Sequence, residues 1–204
     1  MGRGLGIVVL ALGAACATAE PSSRARPEHA LPMPDDADAR RRVLARAGRR
    51  IYDALAAGRP ERLQLDDMAL RRLLSPEAAS RASALRTGLG KRLAVRPAAF
   101  TTLATAHYAG VCVQGSRLEP AGSPVGLREP GWIVDRVLVA GRQDGGRRVA
   151  AWVEGELLYT NVGFWAISLG RVEEPRWEHS DLELAPCDME VGLRAPRDVV
   201  GVTG

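Results

Sequence analysis

An α+β fold, with N-terminal helices followed by a curved antiparallel meander, is what this sequence predicts, and three observations predict it. Apolar residues recur at helical spacing before about residue 100. Beyond it, short runs rich in Val, Ile, Trp and Tyr alternate with turn residues. The two patterns are segregated along the chain, helices first and strands second, the order expected when helices pack on one face of an antiparallel sheet.

The N-terminus carries an address before it carries a fold. Arg3 and the free amine precede an apolar run over residues 5–15. That run is too short to cross roughly 30 Å of hydrocarbon as a helix, which takes about 20 residues. It has the length of a signal-peptide core, so residues 1–15 read as a signal peptide. Ala17-Thr18-Ala19 offers a small-x-small cleavage site that would yield a soluble exported chain. Leu12-Gly13-Ala14-Ala15-Cys16 resembles the lipobox of bacterial lipoproteins, with its leucine one position further from the cysteine than usual. That resemblance implies cleavage before Cys16 and a lipid anchor on its sulfur. Ala17 is similar to the residues that permit onward export to the outer membrane. The membrane, reached through this anchor, is then the first partner.

Residues 16–34 follow as a tether. Pro21, Pro27, Pro32 and Pro34, with Ser22 and Ser23, leave too few apolar side chains for a core. Extended at about 3.1 Å per residue, such a segment reaches roughly 55 Å. The single α+β domain is expected over residues 35–184. Asp35 or Asp36 can cap a first helix whose Leu44, Ala47, Ile51 and Leu55 share one face, and Gly58 and Pro60 end it. Asp66 or Asp67 caps a second helix with Leu70, Leu73 and Leu74 turned inward. Ser75, Pro76 and Glu77 form the clearest helix start in the chain, and Gly88 and Gly90 are expected to close that third helix. Strands are expected over residues 108–117, 132–140, 147–159, 164–172 and 176–184, and residues 185–204 as an irregular tail. Three helices before a curved meander resemble the NTF2-like superfamily, a cone-shaped fold. Ile51-Tyr52-Asp53-Ala54-Leu55-Ala56-Ala57-Gly58 is similar to that superfamily's first-helix ending. Such folds host both enzymes and scaffolds, so the resemblance implies a shape and leaves the activity open.

The net charge of +4 and the high pI would suit a nucleic-acid binder. An export signal removes the chain from nucleic acid, and no aromatic residues are interleaved with the arginines to stack on bases. The three cysteines leave an odd one. With Cys16 lipidated, Cys112 and Cys187 form an even pair, and a bridge between them would close a loop of about 75 residues and contribute roughly 3–5 kcal/mol. Two free, buried thiols are the alternative.

Signatures of catalysis and of cofactor binding are absent. There is no Gly-x-Ser-x-Gly, His-Glu-x-x-His or Cys-x-x-Cys, and Gly88-Leu89-Gly90-Lys91-Arg92 lacks the Ser or Thr of a phosphate loop. His107 and His179 with the two distal cysteines could ligate zinc or copper, but a disulfide would claim the same sulfurs. On the last expected strand, Trp177, His179 and Asp181 fall on one face at period two. An imidazole oriented by a carboxylate could act as a general base in an NTF2-like pocket, and a solvated polar strand explains the same pattern. Glu154 and Glu156 share a face with Trp152 and Leu158, which suits either paired acid–base carboxylates or the wet side of a sheet. Trp132, Trp152, Trp165 and Trp177 fit core packing. Arg40, Arg41, Arg42, Arg46, Arg49 and Arg50 give the first helix a basic surface near the anchor, suited to anionic lipid at about 1 kcal/mol per charge or simply to water. The sequence therefore points to a tethered, non-catalytic envelope lipoprotein that binds a protein or envelope ligand. The alternative is a small-molecule enzyme or binder using His179 and Asp181.

Overall fold

The computed structural model describes residues 27–93, 101–173 and 187–193. Helix α1 spans Ala37–Ala56 and begins where Asp36 accepts a hydrogen bond from the Ala39 amide at 2.6 Å. A short 3-10 helix, Pro60–Leu63, leads into α2, Asp67–Leu73, whose cap Asp66 accepts from the Ala69 amide. Helix α3 covers Pro76–Leu93, with Ser75 Oγ accepting from the Ala78 amide. It continues through Gly88 and Gly90, so the glycine pair lies inside the helix instead of ending it. A further turn, α4, occupies Thr101–Ala104.

Five antiparallel strands follow: β1 His107–Glu119, β2 Gly131–Arg142, β3 Arg148–Thr160, β4 Gly163–Glu173 and β5 Met189–Val191. They form one open sheet in the order β4-β3-β2-β1-β5. The α+β class stands, and the four long strands are the expected meander. The last expected strand, residues 176–184, lies outside the described residues. A further strand, Met189–Val191, lies in the stretch expected to be irregular, paired with β1 two residues after the bridged Cys187.

The helices do not share one face of the sheet. Neighbouring residues of a strand point to opposite faces, and Ile133 and Val134 enter different cores. Val134 belongs with Leu44, Ile51 and Leu55 of α1, whereas Ile133 belongs with Leu70, Leu74 and Ala78 of α2 and α3. The chain passes from one face to the other around the β4 edge, where the Leu65 amide donates to the Ala166 carbonyl at 3.0 Å. Leu158 is fully buried under α2 and α3, so the face it shares with Glu154 and Glu156 is wet only in part.

Residues 27–34 belong to the domain rather than to the tether. The Leu31 amide donates to Tyr159, its carbonyl accepts from the Trp132 amide, and Ala30 is buried. Proline-rich composition reads the same whether a segment is free or docked, which is why the sequence placed the boundary later.

Candidate functional site

Two surfaces gather charge, one on each side of the sheet. On the α1 side, a groove of about 560 Å³ runs between α1 and the 3-10 helix, lined by Arg46, Arg49, Arg50, Asp53 and Arg62. Arg50 is its fixed element. Its guanidinium lies 3.4 Å from the centre of the Trp165 ring. It also donates to the carbonyls of Phe164 at 3.0 Å and Arg62 at 3.2 Å. Burial lowers its pKa to about 10, which leaves it a cation at neutral pH. Arg49 pairs with Asp53 at 3.1 Å, one helical turn on. Arg46 and Arg62 are exposed, with no ion pair to any described residue.

The six arginines expected to form one basic surface thus divide by role. Arg40 donates to the carbonyls of Pro34 and Asp35 and fixes the entry into α1. Arg42 lies 4.0 Å from Asp36, beside the helix cap. Arg41 is exposed. Arg46, Arg49 and Arg50 alone line the groove, joined by Arg62, which the sequence did not single out. Arg62 sits on a four-residue 3-10 helix, too short to leave a periodic signal.

On the opposite side, ion pairs cross the middle of the sheet. Arg117 bonds to Glu119 and Asp135 and lies 4.0 Å from Glu156. Those bonds, to Asp135 first, raise its already high pKa. Arg136 pairs with Glu154 at 2.9 Å and covers the Trp152 ring at 4.2 Å. Glu154 and Glu156 are therefore each engaged with an arginine. Arg117, Glu119 and Glu156 also line a groove of about 420 Å³ floored by Ala82 and Ile167. A third depression, of about 600 Å³, separates α2 from α3, where Asp67 accepts from Ser83 and Arg86 and is held below the usual carboxylate range.

Cys112 and Cys187 are bridged, with Cα atoms 5.6 Å apart, so neither sulfur is free to ligate a metal. His107 is exposed, 3.5 Å from Asp144. His29, within the docked N-terminal segment, lies 3.3 Å from Glu129. Trp132 is buried edge-to-face on Phe164 at 5.1 Å, while Trp152 and Trp165 carry arginines on their faces. Trp177, His179 and Asp181 lie outside the described residues, as does Cys16. Among the described residues no helix is long and apolar enough to cross a membrane. No protein-family model, curated protein or solved structure matches the chain.

Proposed function

We propose that this chain is an exported envelope lipoprotein, anchored through Cys16, whose α+β domain binds a protein or envelope ligand without catalysing a reaction. The observation that carries this reading is the Cys112–Cys187 bridge, which spans 75 residues of sequence. Structural disulfides of this kind form and persist in oxidising compartments. An export signal ahead of the domain supplies the route to such a compartment. The proline-rich segment between Cys16 and the docked residues then serves as the tether, reaching about 3.1 Å per residue when extended. A binding role is supported by the two grooves lined with charged side chains, one on each side of the sheet.

The test is the intact mass of the protein recovered from the membrane fraction of a bacterium that expresses it. The expected N-terminus is a diacylglyceryl-modified Cys16, and Cys16→Ser should release the domain to the soluble exported fraction. An unmodified N-terminus at Glu20 would overturn the anchor. A full-length chain with reduced cysteines would overturn export as well.

A further inference from the structure

We propose that the groove between α1 and the 3-10 helix is a docking site for the phosphate of an anionic membrane lipid, holding the domain against the bilayer by its α1 side. Four arginines, Arg46, Arg49, Arg50 and Arg62, face this groove against a single carboxylate, Asp53. With Arg49 and Asp53 neutralising each other, Arg46, Arg50 and Arg62 leave three uncompensated positive charges around about 560 Å³ of open space. That is a large share of a chain whose whole net charge is +4. The ligand that complements it is a compact anion, and phosphate oxygens match the fork of a guanidinium.

The arrangement is built in advance. Arg50 is immobilised by the Phe164 and Arg62 carbonyls and by the Trp165 ring, so it loses little freedom when an anion arrives. Arg46 and Arg62 project from two different elements on either side and are free to close on the anion. Because Arg50 bonds to the backbone of Arg62, the two walls keep their spacing. The groove is open, which suits a headgroup presented by a surface better than a small molecule that must be enclosed. This inference rests on the envelope reading for its biological setting, though the groove itself can be tested without the anchor.

The experiment uses the full chain carrying Cys16→Ser, so that no lipid is attached, and measures co-sedimentation with two kinds of vesicle. One is phosphatidylcholine alone and the other phosphatidylcholine mixed with phosphatidylglycerol. The apolar segment over residues 5–15 and the positive charges ahead of it are common to the wild type and every variant, so the difference between variants on anionic vesicles reports the groove. The expected result is tighter binding to the anionic vesicles. Arg46→Gln with Arg62→Gln should weaken that binding about 30-fold. Arg147→Gln with Arg148→Gln, two exposed arginines where the turn enters β3, should change it little. Equal losses for the two double variants would mean attraction by net charge alone and would overturn the proposal. So would a wild-type chain that binds inorganic phosphate in calorimetry yet does not distinguish the vesicles. Both substituted pairs are exposed, so thermal unfolding should confirm that each variant remains folded. A positive vesicle result beside an unlipidated native Cys16 would sink the anchor and leave the groove standing.

Discussion

On the α1 face of the sheet, Val111, Val137, Val139 and Val153 meet Leu44, Ile51 and Leu55 in one continuous apolar core. On the other face, two smaller patches are separated by the ion pairs of Arg117 and Arg136. One patch gathers Ile133, Leu158 and Ile167 under α2 and α3, and the other gathers Cys112, Leu138, Ala140 and Ala150 under Leu193. The first face is held by burial that grows with apolar area and needs no particular partner. The second divides its burial between two patches and adds discrete fastenings to them, a disulfide and ion pairs. The two faces should therefore answer differently to substitution.

The largest effect should come from cutting the fastening of the second face. The bridge closes a 75-residue loop, for which chain entropy predicts about 4 kcal/mol of stabilisation. Replacing Cys112 and Cys187 by alanine should lower the urea midpoint accordingly. Amide exchange should rise first at β5, whose only described strand partner is β1. A loss under about 1 kcal/mol would show that the small patch around Leu193 holds β5 without covalent help, and the contrast between the faces would weaken.

The continuous core should answer most sharply where α1 comes closest to β1. At Gly48 an added Cβ would lie 2.4 Å from the Tyr108 hydroxyl and 2.5 Å from Val111 Cβ. Burial has pushed the Tyr108 hydroxyl up to about 12, as expected for a phenol shut between helix and sheet. Gly48→Ala should gain about 1 kcal/mol of helix propensity and lose about 1–3 from overpacking. A net loss of up to about 2 kcal/mol in denaturant unfolding is the expected balance. A gain in stability would mean that α1 can lift from the sheet at little cost.

What the residues announced in advance was mostly local. Ser75 and one aspartate of each expected pair, Asp36 and Asp66, cap their helices through neighbours three residues on, and the ends of the four long strands fall within two residues of where turn signals put them. What stayed hidden depends on contacts distant in sequence. Arg50 reads like Arg46 along α1, yet tertiary packing places it on Trp165 and under a backbone carbonyl more than a hundred residues away. Arg62 had no pattern to mark it, so the basic surface was legible and the groove within it was not. The division of helices between two faces was also out of reach, because an amphipathic stripe says that a helix packs, not on which side. Met189–Val191 is too short for period-two alternation to identify, and the cysteine pair nearby gave the only hint.

The smallest effect should come from the ion pairs that cross the second face. Glu154 is paired with Arg136 at 2.9 Å, and both side chains remain more than a third exposed. Water screens such a pair, and exposed pairs are worth about 1 kcal/mol or less. Arg136 also keeps the Trp152 ring beneath it when the carboxylate is lost, so its charge is not stranded. Glu154→Gln should therefore lower stability by under about 1 kcal/mol in dilute buffer, with the difference shrinking as salt is added. A loss above about 2 kcal/mol that persists in high salt would place Glu154 in a buried, structural network. The second face would then be held as continuously as the first, through polar contacts in place of apolar ones.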